Sequence, residues 1–122
     1  SEAMSQYVDG FVLPLPKDKV ETYREIAEGA ANVWIEHGAL EYRECVSEDT
    51  NAHDMVSFPK LAGANDDETV VFAWIVYNSR EHRDEVNAKV MADPRMNELM
   101  ENGCPFDCKR MAYGGFQTIV KA

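Results

Sequence analysis

The stretch Thr-Val-Val-Phe-Ala-Trp-Ile-Val-Tyr-Asn, residues 69–78, is apolar at almost every position. Successive side chains of a strand point to opposite faces of a sheet, so this pattern is typical of a central strand covered on both faces. A second segment, Tyr7–Leu15, also has the composition of a strand. Pro14 and Pro16 are expected to mark its end. The two segments predict two strands of one sheet.

A helix is predicted directly after Tyr7–Leu15. Apolar residues from Val20 to His37 recur at three- and four-residue spacing and form one apolar face. Asp18 followed by Glu21 matches a capping box, which predicts Asp18 as the N-cap. Gly38 lies where a residue of left-handed conformation ends many helices.

The next predicted strand, Ala39–Val46, alternates between two faces. Tyr42 and Glu44 lie on the face of this strand that carries its apolar residues, so that face is not uniformly apolar. Residues 47–68 are polar and acidic and are predicted to form a long exposed connection, with a short extended piece at 55–59.

The C-terminal half predicts further helices and a last strand. Ser79 is expected to cap a helix over residues 80–92, and Asp93-Pro94 to end it and to open a short helix. The last strand is predicted over Arg110–Val120. Its paired glycines, Gly114-Gly115, suggest a bulge or a close backbone approach.

The predicted order is strand, helix, strand, strand, helix, strand. This is the split βαβ arrangement of ferredoxin-like α+β domains, a four-stranded antiparallel sheet with both helices on one face. Residues 69–78 are apolar on both faces and cannot leave the uncovered face in water without a large exposed patch. The sequence therefore predicts a homodimer that packs sheet against sheet.

Length and composition suit one such domain. The chain has 122 residues, 45% of them apolar, and no apolar run approaches the roughly 18 residues of a membrane-spanning helix. Ser1-Glu2-Ala3 before Met4 is interpreted as a cloning remnant, which leaves residues 4–122 as a single domain. No secretory signal follows Met4, and three cysteines are too few for a disulfide framework, so we expect a cytoplasmic protein.

Charge is the most pronounced feature of the composition. Lys and Arg total 12 against 22 Asp and Glu, which gives a net charge of −10. Such a chain repels phosphate backbones and anionic lipid surfaces, which argues against nucleic acid, membranes and an RNA-related function. We interpret the acids as the solvated shell of the predicted homodimer.

A combination of segments spread over nearly the whole chain is distinctive: Tyr7–Pro14, His37–Cys45, Val70–Tyr77, Ser79–Asp84, Asp93–Arg95 and Met111–Phe116. Together they resemble the DUF1428 family. The resemblance implies a dimeric α+β barrel, the architecture already predicted from the strand order. The wider superfamily includes small monooxygenases, isomerase-type enzymes and members without known chemistry, and the resemblance assigns no catalytic residue.

The resemblance also implies a pocket between the sheet and its own helices, where an aromatic, amide, His or Arg side chain positions a ligand. Six residues are candidates for this pocket: Trp34, His37, Trp74, His82, Arg83 and Tyr113. Tyr42 and Tyr113 would add hydroxyl groups if their side of the strand faces the helices, and the sequence leaves that side open.

Each candidate also has a structural interpretation. Trp34 and Trp74 suit a hydrophobic core. His37 lies in the last turn of its helix, where positive charge is favourable, whereas His82 lies in a first turn, where it is not, and is the better functional candidate. Arg83, between acidic neighbours, suits a solvated face equally well.

The sequence predicts neither a metal site nor a bound cofactor. The three histidines are far apart, and Cys104 and Cys108 form a Cys-x₃-Cys spacing without the second pair of a structural zinc site. We expect these two cysteines to be structural residues of a turn, with a redox-responsive pair as the alternative.

Two functions are therefore open. The first is a cofactor-independent enzyme of small molecules, monooxygenase-like or isomerase-like. The second is a non-catalytic homodimer that binds a small ligand or a protein. A solvent-connected pocket between sheet and helices, ringed by the candidate residues, would favour the enzyme.

Overall fold

The two long strands predicted from the sequence lie side by side at the centre of the sheet. The strands are β1 (Tyr7–Pro16), β2 (Glu41–Val46), β3 (Glu68–Tyr77) and β4 (Ala112–Gln117). In the computed structural model, which describes residues 6–122, they follow the order β2-β3-β1-β4 and every neighbouring pair is antiparallel. The interpretation of Ser1–Ala3 and Met4 lies outside the described residues.

The two longest helices cover one face of this sheet. The α-helices are α1 (Val20–Glu36), α2 (Phe58–Ala62), α3 (Arg80–Ala92) and α4 (Pro94–Leu99). Val33 of α1 and Val86 of α3 are buried against Ile75 of β3 in one core cluster. The predicted ferredoxin-like α+β fold is thus confirmed. Within residues 6–122, no helix is both long and apolar enough to cross a membrane.

The register of the central pair decides which side chains face the helices. Tyr7 lies opposite Tyr77, and the pairing continues without interruption to the other end of both strands. Odd-numbered residues such as Leu13 and Val71 are buried on the helix side. Even-numbered residues face the other way, and Phe72 is 44% exposed there. We call this second side the open face.

The start of α1 differs from the predicted capping box. A 3₁₀ turn, Lys17–Lys19, precedes the helix, so the N-cap is Lys19 and no side chain caps the helix there. Asp18 lies inside the turn, one position too early for its carboxylate to bond the first helical N–H groups. The predicted end is confirmed, since Gly38 has a positive φ of 115°.

Two further predictions were wrong in detail. Residues 55–59 were predicted to be extended, but the short helix α2 begins within them, at Phe58, because the Ser57 hydroxyl accepts a hydrogen bond from the N–H of Lys60. The last strand is shorter than Arg110–Val120. Arg110 belongs to a 3₁₀ turn, and pairing with β1 ends at Gln117 because β1 itself begins at Tyr7.

The glycine pair of β4 marks a close approach and no bulge. Gly114 and Gly115 pair regularly with Gly10 and Asp9 of β1. A Cβ atom on Gly115 would overlap the ring and hydroxyl of Tyr7, whereas one on Gly114 would meet Phe116 at an ordinary 3.6 Å. Position 115 therefore requires a residue without a side chain.

We expect Gly115→Ala to lower the free energy of unfolding by about 1–3 kcal/mol, the usual range for overpacking, because the Tyr7 ring must move. Gly114→Ala is the matched control and should change it by less than about 0.5 kcal/mol. Urea unfolding of both variants at equal chain concentration measures the difference. Equal stabilities for the two variants would contradict this account of the glycine pair.

Candidate functional site

Two cavities between α1 and the sheet share a wall. The outer one has a volume of about 390 Å³ and reaches exposed residues of α1, Arg24 and Glu28. The inner one, about 220 Å³, lies deeper between the sheet and the helices. The residues common to both are Tyr23, Ala27, Tyr42 and Glu44. A molecule entering from the outer cavity would therefore meet the Glu44 carboxyl before it reached the inner one.

Glu44 is held by two phenolic hydroxyl groups. Tyr23, on α1, donates a hydrogen bond to its Oε1 at 2.7 Å, and Tyr42, on β2, donates to its Oε2 at 2.7 Å. Tyr42 and Glu44 lie two residues apart in the same strand and so share its helix-facing side. Both carboxylate oxygens are thus fixed by one donor from each layer of the fold.

The surroundings of Glu44 favour its neutral form. Burial raises the pKa of the Glu44 carboxyl above its usual range, although the hydrogen bonds from Tyr23 and Tyr42 act in the opposite direction. Burial and the nearby Glu44 charge also raise the pKa of both tyrosines, so that they remain hydrogen-bond donors. The site therefore holds a carboxyl group that can release or take up a proton in apolar surroundings.

The rest of the inner cavity is lined almost entirely by carbon and sulfur. Its lining includes Leu13, Ala30, Ala73, Met96, Phe106 and Met111. Within the described part of the chain, no three His, Cys, Asp or Glu side chains come together in a way that could hold a metal ion. Such a lining suits an apolar or aromatic small molecule that presents one polar atom to Glu44.

Arg83 and Tyr113, both predicted as pocket residues, meet on the helix side of β1. Arg83 Nη1 donates to the Tyr113 hydroxyl at 2.6 Å and to Asp9 Oδ1 at 3.2 Å, and its guanidinium carbon lies 5.0 Å from the centre of the Tyr7 ring. Asp9 is only 1% exposed, and burial raises the pKa of its carboxyl even though Arg83 opposes the rise. This is a buried ion pair separate from the cavity.

Trp34 is the predicted residue that reaches the inner cavity from α1. Its indole N–H lies 3.1 Å from the hydroxyl of Tyr77 and 3.3 Å from Oδ1 of Asn87, to both of which it donates. The ring therefore closes one end of the cavity and is fixed by α3 and β3 at the same time.

The two histidines make local contacts at helix ends. His37 Nε2 lies 2.8 Å from Asp93 Oδ2, which ties the end of α1 to the start of α4. The Nδ1 atom of His82 accepts a hydrogen bond from the backbone N–H of Asn78 at 2.9 Å. Neither residue lines the outer or the inner cavity.

Trp74 belongs to the lining of the inner cavity, but its indole lies on the open face. Its Nε1 donates to Glu41 Oε2 at 2.5 Å, and Arg43 lies over its ring at 5.6 Å. Trp74 is even-numbered in β3, and the register sends even-numbered side chains away from the helices. The six predicted residues therefore do not ring one pocket.

The sequence reasoning missed Glu44 as a site residue. The available signal was a carboxylate on the apolar side of β2, which had been interpreted only as a departure from a dry face. Its partner Tyr23 lies on α1, at a position in the apolar repeat of that helix that also suits a core residue. No local sequence pattern therefore connected Tyr23 with Glu44.

The comparisons with known proteins place the chain in a family. The sequence model of a family described as a protein of unknown function, DUF1428, matches residues 6–108. The chain belongs to the DUF1428 family. The uncharacterized protein YbaA of Escherichia coli strain K12 and that of Shigella flexneri are each 48% identical to this DUF1428 chain over 115 residues, which is 94% of the chain and 97% of each relative.

Solved structures share the fold at low identity. A putative antibiotic biosynthesis monooxygenase from Nitrosomonas europaea has a TM-score of 0.62 and 13% identity, covering 94% of this chain and 91% of its own. A nipsnap family protein of unknown function from Agrobacterium tumefaciens has a TM-score of 0.63 and 14% identity, covering 93% and 88%. At these identities the likenesses show a shared α+β fold.

We expect Glu44→Gln to change how stability depends on pH. The raised pKa makes ionisation costlier in the folded state, by about 1.4 kcal/mol for each pKa unit. The free energy of unfolding of the wild type should therefore compare best with that of Glu44→Gln below the pKa of Glu44 in the unfolded chain, about 4.3. The wild type should lose this advantage as the pH rises through the pKa of Glu44 in the folded protein. Urea unfolding across this pH range measures it.

Glu48→Gln serves as the control, because it removes the same chemical group from an exposed position two residues beyond β2. The difference in unfolding free energy between wild type and Glu44→Gln should vary with pH much more than that for Glu48→Gln. Parallel pH profiles for the two variants would show that the fold does not raise the pKa of Glu44.

Proposed function

We propose that this DUF1428 protein is a cofactor-independent enzyme that moves a proton on a small, largely apolar molecule. The observation that supports the proposal is the Glu44 carboxyl, half-buried at the wall between two cavities and fixed by the hydroxyl groups of Tyr23 and Tyr42. General acid–base catalysis works best when the pKa of the catalytic group lies near the working pH, and burial moves that of Glu44 towards it.

The cavity supports a substrate class. Its carbon-rich lining favours a planar aromatic or an aliphatic molecule, and its single carboxyl suits one acidic C–H bond, such as that beside a carbonyl group. Ionised Glu44 takes this proton, so that the C–H bond breaks and an O–H bond forms on the carboxyl. Returning the proton to another carbon gives an isomer, and no co-reactant is required.

The tyrosines have a part in the same step. A protonated carboxyl needs fewer hydrogen-bond donors than a carboxylate, so proton transfer to Glu44 frees Tyr23 or Tyr42 to donate to the oxygen of the substrate anion. That donor stabilises the negative charge at the moment when it develops. Both hydroxyl groups already lie 2.7 Å from Glu44, so only a small rotation is needed.

The monooxygenase-like form of the proposal begins with the same proton transfer. There the substrate anion would pass electrons to dioxygen, and dioxygen would be consumed together with the substrate. The name of one structural neighbour, the Nitrosomonas europaea protein, points to such chemistry, and at 13% identity the likeness is one of fold. The isomerase-like form therefore comes first, and oxygen uptake separates the two.

The test follows exchange of substrate hydrogen with solvent. A panel of aryl ketones and phenols is incubated with the protein in D₂O, and deuterium incorporation is followed by NMR beside oxygen uptake. We expect Glu44→Gln to slow exchange by about 10²–10⁴-fold, the usual contribution of a general acid–base group. Tyr23→Phe should slow it less, because Tyr42 still donates to the carboxyl.

Glu41→Gln is the matched control, because Glu41 lies on the same strand but on the open face, and it should keep the wild-type rate. Exchange that is unaffected by Glu44→Gln would overturn the assignment of the proton carrier. If compounds raise the melting temperature of the wild type but undergo neither exchange nor oxidation, the proposed enzymatic function is wrong. The protein would then be the non-catalytic binding module.

We also propose that the protein is a homodimer joined through the open face. The face carries Val8, Val12, Phe72, Trp74, Val76 and Phe116. In a chain of net charge −10, its charges are balanced, since Glu41 lies beside Arg43 and Glu68 is paired with Arg110. A neutral apolar patch fits a second copy of itself, because a two-fold axis brings the same patch to both sides.

Phe116→Lys should convert the dimer to a monomer in sedimentation velocity at micromolar concentration. Phe116 is 63% exposed on the open face, and a lysine there would bury its charge in the interface. Met55→Lys, at a position 82% exposed outside the sheet, should leave the dimer intact. A wild type that sediments as a monomer at this concentration would rule the dimer out.

We propose that the protein is cytoplasmic. All three cysteines are free thiols, although Cys104 and Cys108 lie close together. Free neighbouring thiols suit a reducing compartment.

A further inference from the structure

Two cysteines meet at the wall of the inner cavity. The thiol of Cys108 donates to the Sγ of Cys104, and the two sulfur atoms are 2.7 Å apart. A disulfide bond has a sulfur–sulfur distance of about 2.05 Å, so a movement of less than about 1 Å would join them. We propose that Cys104 and Cys108 form a redox modification site that hydroperoxides convert reversibly into an intramolecular disulfide.

The chain around the pair holds the thiols in place. Phe106, between them, packs on Tyr23 with ring centres 5.9 Å apart and belongs to the periphery of the core. The Asp107 carboxylate accepts from the N–H of Lys109 and caps the following 3₁₀ turn. Arg110 then binds both oxygens of Glu68 at 2.9 Å. The approach of the two thiols is therefore fixed by the fold on either side.

Either thiol can start the reaction, because the two sulfur atoms lie side by side. Cys108 is exposed and Cys104 is half-buried. One sulfur attacks a hydroperoxide, the O–O bond breaks, the peroxide is reduced to water or an alcohol, and that cysteine becomes a sulfenic acid.

The second step closes the ring. The sulfur of the other cysteine attacks the sulfenic sulfur, the S–O bond breaks, and the hydroxyl leaves with the proton of that second thiol as water. The two thiols supply two electrons in total, which the peroxide has accepted. A low-molecular-weight dithiol returns both cysteines to thiols by disulfide exchange.

The third cysteine provides an internal comparison. Cys45 lies on β2 opposite Phe72 of β3 and is half-buried like Cys104, but among residues 6–122 the thiol–thiol contact joins Cys104 and Cys108 and does not include Cys45. We therefore expect Cys45 to remain a thiol under conditions that join the other two. Disulfide formation does not depend on the function proposed for Glu44, so its test is independent of that proposal.

The test treats the full chain with one equivalent of hydrogen peroxide, blocks the remaining thiols with iodoacetamide and measures the intact mass. The wild type should lose about 2 Da, the two thiol hydrogens, and should carry a single alkyl group, on Cys45. Peptide mapping should find Cys104 joined to Cys108. Dithiothreitol before alkylation should restore all three thiols.

Two variants complete the experiment. Cys45→Ser should lose the same mass as the wild type and carry no alkyl group. Cys108→Ser should form no intramolecular disulfide and should gain oxygen on Cys104 instead. Alkylation of all three cysteines in peroxide-treated wild type, disulfides between chains, or irreversible oxygen addition ahead of the disulfide would each overturn the proposal.

Discussion

The antiparallel register of β1 with β3 determines everything else in this structure. Because Tyr7 lies opposite Tyr77, the odd-numbered side chains of both strands face the helices and the even-numbered ones face away. A slip of one residue would put the odd-numbered side chains of one strand on the same face as the even-numbered side chains of the other. Either Trp74 would replace Val71 under the helices, or Leu13 would turn away from them. Cavity, ion pair and open face are consequences of this one alignment.

The helix-facing layer includes two carboxyl groups among its apolar side chains. Asp9 is matched by Arg83, an arrangement that fills space and ties β1 to α3. Within residues 6–122, the hydrogen-bond partners of the Glu44 carboxyl are the neutral Tyr23 and Tyr42. A half-buried carboxyl without a cation is retained at a cost in stability, and such costs concentrate where a protein binds or reacts. This contrast is why Glu44, and not Asp9, defines the candidate site.

The elements with a long apolar period were predictable from the sequence, and the short or locally determined ones were not. The regular spacing along α1 and the unbroken apolar run of β3 predicted both elements and, with them, the fold. Helix α2 was missed because its five residues are too few to show a period, and its start depends on the Ser57 hydroxyl. The face on which the Trp74 indole lies could not be predicted, because both faces of β3 are apolar and composition does not show which face meets the helices. Glu44 was visible as an exception, but its meaning depended on Tyr23, which only the packed structure brings near.

The two outer strands of the sheet protect their free edges unequally. β2 carries Glu41, Arg43 and Glu44 along its six residues, and charges of this kind discourage a foreign strand from adding to an edge. β4, with the sequence Ala-Tyr-Gly-Gly-Phe-Gln, carries none. Its glycine pair leaves part of the backbone without side-chain cover. Aggregation of this protein by strand addition would therefore start at β4, the same strand whose glycines admit the ring of Tyr7.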